Sequence, residues 1–417
     1  MDKDRKIIRD LAGRYYNMAS SDKNTEKIGL YKAVNDLKMI RPVVTLPVIA
    51  LPSAFGLPLN EINIDGGLDL KCESERARAV EFRFRYLLLV MKHFPCDMYL
   101  RPYYPVLKHC YLGGLQGIEP KGRSIPAPGG HLASSEYCDM LKTEEDLEKL
   151  HYVPASYDRD ATMEEFSFVA DLIGDIMPVQ VRGHFTQGLP GWDYISGLRG
   201  VTPLLGDLID RPEFMHKIMR KITDAYIKSV GEAVKLNLFS ANDPDFHWRP
   251  AFTDSLAPVG DYDSVKPANI WGRGAAQIFT SVSPAMLDEF DIQYQIEATK
   301  DFGLVYYGCC ERLDNKIHIL KKLKNLRKIA VTPWADINAA SDKIGRDYVM
   351  AVKTNSAYIS AGFDEDAVRG ELKGILDAAK RNNCSIEIML GDISTLANNP
   401  QNLVKWAQTA MEAVMDY

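Results

Sequence analysis

From about residue 270 to the C-terminus, short runs of β-branched and apolar residues alternate with longer amphipathic stretches, the pattern of parallel βα units. The spacing predicts strands at 270–279, 304–309, 328–332, 348–352 and 385–390. The helices between them announce their ends. Ser283-Pro284 supplies an N-cap and a first-turn proline for a helix over 285–300, and Gly303 stops it. Asn399-Pro400 repeats the device before a helix that buries Leu403, Trp406 or Ala407, Ala410, Met411 and Val414 at three- and four-residue spacing. Upstream, 43–49, 98–101 and 179–182 add three strands, making eight, with long helices at 74–94 and 212–236, the second with Asp210 as its cap.

Eight alternating units in 417 residues point to an α/β fold of the (β/α)8 TIM barrel class, since such barrels need about 250 residues and carry insertions freely. Residues 1–40 are expected as a helical extension, and 41–417 as the barrel with an inserted loop over 105–140. Within that insertion, 113–131 has glycine and proline punctuation without apolar period and is expected as a long loop, either a lid or a subunit contact.

A net charge of −6 argues against a nucleic-acid partner, because binding a polyanion needs a positive field. The first residues are charged and amphipathic, without the apolar core of a secretory signal, and the most apolar runs, 41–52 and 86–91, are too short to cross a bilayer. A cytoplasmic protein without a membrane partner is expected. Its seven scattered cysteines read as reduced thiols.

In a parallel barrel the chemistry comes from strand C-terminal ends and the loops after them. That test selects Cys309, Cys310 and Glu311, Trp334 and Asp336, Lys353 and Asn355, Asp392, Arg182 and His184, and Gln277, with Asp254 and His247 in an irregular aromatic stretch. Singly, each has a plain structural explanation: a cysteine packs as a small hydrophobe, and a histidine near a strand end caps a helix. Two adjacent thiols beside a carboxylate resist that explanation, because successive strand residues cannot both face the core. Glu297 lies late in a helix running back to the floor and is set aside. There is no phosphate loop, no H-E-x-x-H, no C-x-x-C and no G-x-S-x-G, and the GRGAA at 272–276 leads into a strand end, unlike a dinucleotide fingerprint.

The segments WGRGAAQIFTSVSPAMLDEF and DFGLVYYGCCERLDNKI, continued by LRKIAVTPWADINAASDKIGRDYVMAVKTNSAYIS and IEIMLGDISTLANNPQNLVKWAQTAMEAV, resemble the uroporphyrinogen decarboxylase-like superfamily, and in it the corrinoid-dependent methyltransferase and O-demethylase branch. The resemblance runs from about Val179 to the end. It implies one of two activities: cofactor-free decarboxylation, or zinc-assisted methyl transfer to or from a cobalamin on a separate corrinoid protein. The decarboxylases carry an arginine-rich N-terminal motif, where MIRPVVTLPVIALPSA offers only Arg41. The zinc enzymes use His-x-Cys and a later cysteine, where this chain has Tyr307-Gly308-Cys309 and Asp392.

The expected activity is therefore a methyltransferase acting on a small O- or N-methyl substrate such as an aryl methyl ether. Zinc would be held by Cys309, Cys310 and Asp392 and act as a Lewis acid on the ether oxygen. Tyr307, Lys353, His184 and Arg182 are the catalytic candidates, and Gln277, Trp271, Trp334, Asn355 and Tyr306 the substrate contacts. The alternatives are a metal-independent decarboxylase, with Arg182, His184 or Lys353 gripping a carboxylate, and a non-catalytic binding protein. A homodimer is compatible with the superfamily.

Overall fold

The computed structural model describes residues 2–46, 57–126, 133–184, 186–241, 245–246, 249–259 and 265–417. Its centre is a parallel sheet of seven strands: β1 (Val43–Thr45), β2 (Thr186–Leu189), β3 (Trp271–Gly274), β4 (Leu304–Tyr307), β5 (Leu326–Val331), β6 (Val349–Thr354) and β7 (Ser385–Leu390). They lie in the order β1-β7-β6-β5-β4-β3-β2. Every pairing is parallel, including that of β4 with β5. Every residue of β1, β4, β6 and β7 is buried, which explains why their sequences read as continuous apolar runs: a parallel sheet is covered on both faces.

The α/β class and the presence of the five C-terminal strands match the sequence reading, although the strand expected over 270–279 ends at Gly274 and Gln277–Ser281 is a 3-10 turn, whereas the ring of eight differs. Within the described residues the hydrogen-bonded sheet holds seven strands, and β1 and β2 each pair on one side. Residues 98–101 form no strand; the upstream strand is Tyr104–Leu107, and it pairs in parallel with Val179–Arg182 outside the central sheet. The place expected for Val179–Arg182 is taken by β2, whose T-Q-G-L sequence carries little β signal. Its Gly188 lies so close to Arg273 of β3 that an added Cβ would stand 3.1 Å from the arginine Cβ. Residues 47–49 lie outside the described residues.

The expected 113–131 loop is partly strand. Gly114–Gln116 pairs antiparallel with His151–Val153, and Gly122–Pro126 with Ala133–Tyr137. Short polar hairpins share the glycine and proline punctuation of loops and show little apolar alternation, so the sequence does not separate the two. Residues 127–131 of that segment lie outside the described residues.

The N-terminal residues form two helices, α1 (Asp2–Ala19) and α2 (Asp22–Asn35). Ile8, Leu11 and Tyr15 of α1 pack on Val80 and Phe84 of α3 (Glu75–His93), which Ser74 caps through the amide of Ala77. Tyr31 and Val34 of α2 pack on Val43 and Val349, and the Ser385 hydroxyl donates to the Val34 carbonyl at 2.8 Å. Those three partners open β1, β6 and β7, so α2 closes the N-terminal side of the sheet and leaves chemistry to the opposite side. Arg211, and not Asp210, stands at the N-cap of α4 (Pro212–Lys235), because Asp210 ends the preceding helix. Ser283 caps as expected, but a π turn over Asp288–Ile292 interrupts its helix. The last helix, α5 (Gln401–Met415), buries Leu403, Trp406, Ala407, Ala410 and Val414. Among the described residues no helix is long and apolar enough to cross a membrane.

Three charges sit inside the sheet region. Glu387 of β7 accepts from Lys328 of β5 at 2.7 Å and from Arg249 at 2.8 Å, all three no more than 2% exposed. Burial works against ionisation of Glu387, and the two cations overcome it and hold the carboxyl below its ordinary value. Removing the anion alone strands two buried cations. Glu387→Ala is expected to cost about 3–5 kcal/mol in urea unfolding, while replacing all three with apolar residues of similar volume costs far less. Equal losses in the two variants would show that the triad is not an electrostatic unit.

Candidate functional site

The candidate site gathers where β4, β6 and β7 end. Gly308, at φ 107°, turns the chain out of β4; a Cβ there would meet Leu313 at 2.7 Å and Ala330 at 2.8 Å, so the turn requires glycine. The next two residues are the adjacent thiols. The buried Glu311 carboxylate accepts from the Cys309 amide at 2.8 Å and from the Ala276 amide at 3.1 Å, tying the loop after β4 to the loop after β3. The sequence reading grouped Glu311 with the thiols as chemistry; its two backbone bonds give it a bracing role.

Cys309 Sγ and Cys310 Sγ lie 3.6 Å apart. The Cys310 thiol reaches Asp392 Oδ2 at 3.5 Å, and the buried Lys353 ammonium stands 3.4 Å from Cys310 Sγ and 3.4 Å from both Asp392 oxygens. The hydrogen bond from the Cys310 thiol lowers the pKa of Cys309; burial opposes the shift, and the charges of Lys353 and Arg273 add to it. The same hydrogen bond, with burial, raises Cys310. The two thiols therefore titrate as a pair, with Cys309 the more acidic sulfur and Cys310 the less acidic one. Burial opposes the charge on Lys353, yet Cys309, Asp392 and Cys310 hold its ammonium above the ordinary lysine value.

The two tyrosines of β4 part company, because successive strand residues face opposite sides. Tyr306 is fully buried on the thiol side, pushed up to about 12 by burial although Arg249 and Lys353 pull it down. Tyr307 faces the helical layer and donates to Asp291 of the π turn at 2.6 Å. It therefore stands apart from the thiols, contrary to the expectation that it works beside them. Burial raises the Asp291 carboxyl to about 7, against the hydrogen bonds of Tyr307 and Gln295.

The other expected residues are more dispersed. Arg182 is buried in the Val179–Arg182 strand, donates to the Ala241 carbonyl and lies 5.6 Å from the Tyr103 ring. His184 is exposed beside its bridge to Phe239, and desolvation by the surrounding protein lowers its pKa. Trp271 is buried, donates to the Ala251 carbonyl at 3.1 Å and lies under the Lys328 ammonium, so it serves the interior and not a substrate surface. Gln277 is exposed and doubly bonded to Asp193; Asn355 binds Glu371 through its amide; Trp334 is 64% exposed after β5. Asp336 caps the following helix, Asp254 pairs with Lys32, and Glu297 pairs with Arg220. His247 lies outside the described residues. A cavity of about 310 Å³ lined by Leu189, Tyr194, Ile222 and Tyr226 includes none of the expected site residues. Sequence reasoning missed Arg249, Arg273, Lys328 and Glu387. For Lys328 and Glu387 the signal was available: a charge inside a strand buried on both faces must have a partner.

A tetrahedral zinc with sulfur at about 2.3 Å and oxygen near 2.0–2.2 Å sets its ligands roughly 3.5–3.8 Å apart. The sulfur–sulfur and sulfur–oxygen separations here are of that size. The Lys353 ammonium, however, is a cation already seated against Cys310 and Asp392, and a second, divalent cation would be repelled by it. Among the described residues no group of three or more histidine, cysteine and acidic side chains is placed to hold a metal. The groups as placed fit a thiolate–ammonium pair and do not fit zinc.

No family model matches the chain, and none of the curated proteins does. Among solved structures, a methyltransferase from Methanosarcina mazei is similar over 91% of this chain and 97% of that one, with a TM-score of 0.47 and 10% sequence identity.

Two outcomes test the electrostatics of the site. Thiolate absorbance lost in Cys309→Ser should, in the wild type, persist below the ordinary thiol range of about 8.5, and Lys353→Met should move it upward; a wild-type midpoint at or above the ordinary value refutes Cys309 as the more acidic sulfur. For Asp291 the folded value is about 7 against 3.8 for a free carboxyl, so its neutral form is favoured. Stability is full below about 3.8, falls as pH rises toward about 7 and stays at the lower level above. Asp291→Asn should flatten that fall, and melting temperatures at pH 5 and pH 8 that change in parallel for both proteins would contradict it.

Proposed function

We propose that the chain is a methyl-transfer enzyme that takes the group from a small O- or N-methyl substrate and passes it to cob(I)alamin on a separate corrinoid protein. The observation that carries the reading is the Lys353 ammonium set 3.4 Å from both Cys310 and Asp392, beside the Cys309 sulfur at the carboxyl ends of parallel strands. Ligands of open parallel sheets bind at that side. The resemblance of WGRGAAQIF and VYYGCCERL to corrinoid-dependent methyltransferases supports the same reading.

Each group has a task. Removing a methyl group expels an alkoxide, phenoxide or amine, a poor leaving group until its developing charge is neutralised. Lys353 is the proton donor for the leaving heteroatom, and Asp392 orients it. The Cys309 thiolate takes the methyl: its sulfur forms the bond to carbon as the carbon–heteroatom bond breaks. The Cys310 thiol keeps that sulfur ionised until the substrate arrives. The corrinoid partner, when docked, supplies the acceptor to which the methyl passes.

The test pairs a panel of methoxybenzoates and N-methylamines with a purified corrinoid protein in its reduced state. Methylcobalamin absorbance should rise. Lys353→Met should slow it by about 10²–10⁴-fold, the range for a lost general acid. With donor alone, the peptide 301–312 should gain the mass of one methylene in the wild type and not in Cys309→Ala. Carbon dioxide released from a small carboxylic acid without methylation of cobalamin would overturn the reading in favour of a decarboxylase.

A further inference from the structure

The adjacent thiols have a second chemistry that methyl transfer does not use. Cys309 Sγ and Cys310 Sγ are 3.6 Å apart, close enough for one sulfur to attack the other. Lys353 Nζ lies 3.4 Å from Cys310 Sγ and supplies positive charge beside the pair, the setting in which thiolates form and oxidise. Cys309 is 5% exposed, and Cys310 beside it is more open. The remaining cysteines, at 72, 96, 110, 138 and 384, are all free, and Cys309 and Cys310 alone are neighbours in the chain.

We propose that Cys309 and Cys310 form a reversible oxidation site for small hydroperoxides, closing to a disulfide between adjacent residues. The Cys309 sulfur attacks one peroxide oxygen, the oxygen–oxygen bond breaks, and Cys309 becomes a sulfenic acid while the departing oxygen leaves as water or alcohol after taking up a proton. Cys310 Sγ then attacks Cys309 Sγ, the sulfur–oxygen bond breaks, and hydroxide leaves as water with the proton from the Cys310 thiol. Two sulfurs lose one electron each, and the peroxide takes both. Cα atoms joined by one trans peptide are about 3.8 Å apart, shorter than the usual 4.4–6.8 Å of a disulfide. The ring is therefore strained and readily reduced, as a reversible device requires. Once closed, it offers neither thiolate nor thiol to Lys353.

The inference shares the thiols of the proposed function but does not rest on methyl transfer, so each can fail alone. The full chain is treated with hydrogen peroxide, the remaining thiols are alkylated, and the peptide 301–312, which holds both cysteines and no other, is weighed. The expected result is loss of two hydrogens, no alkylation of that peptide, and full recovery of both thiols with dithiothreitol. Cys310→Ser should stop at a sulfenic acid on Cys309 that dimedone traps. Two alkylated cysteines after peroxide in the wild type, or a disulfide from Cys310 to a cysteine elsewhere, would overturn the proposal; the wild-type measurement stands even where a variant fails to fold.

Discussion

The bridge of Glu387 to Lys328 and Arg249 is the constraint on which the sheet interior depends. A strand covered on both faces admits charge only where the charge is paired, and here one carboxylate, between two cations at 2.7 and 2.8 Å, lets β5 and β7 both carry ions. Arg249 also donates to the Val352 carbonyl of β6, so a residue outside the sheet ties two of its strands together. The result is an interior that is polar at its middle, floored by α2 on one side and open to the thiol loop on the other. A purely apolar interior would pack as well but would leave the sulfur and ammonium groups above it without an electrostatic base.

From that base the site is assembled by turns and backbone bonds. Gly308 turns the chain where any side chain would collide, Glu311 fixes the Cys309 amide, and strand ends supply Lys353 and Asp392 from neighbouring β6 and β7. Each contribution is local, yet the cluster exists only because parallel pairing brings the ends of β4, β6 and β7 to one side. The alternation of β4 divides the work further. Tyr306 joins the charged side, and Tyr307 anchors the strand to the π turn through Asp291.

What the sequence revealed follows from the same physics. The C-terminal strands were legible because continuous burial produces continuous apolar runs, with the Ser283 cap marking one gap, although at the last helix Pro400 and not Asn399 stands at the N-cap. The thiols, Lys353 and Asp392 were legible for a positional reason: each directly follows or ends such a run. The strand at Thr186–Leu189 was not, because its glycine is required by close approach to β3 and dilutes the β signal. Nor could the facing of Tyr307 be settled by composition. One residue of register decides whether a tyrosine meets thiols or a helix. Arg249 was illegible for a third reason: its partners, Lys328, Val352 and Glu387, lie far along the chain, and only the folded sheet brings them together.

The charges of this region also set what the site can hold. Arg249, Lys328 and Glu387 leave one positive charge, Lys353 and Asp392 pair, and Arg273 and Glu311 add one group of each sign beside Cys309. Buried charge left unbalanced is costly, so the positive surplus of the triad pulls the Cys309 thiol toward ionisation, as Lys353 and Arg273 do. Transfer of a methyl to that sulfur would erase its charge at the moment the leaving oxygen gains one. The total stays constant, and the negative charge moves toward Lys353, the group able to neutralise it.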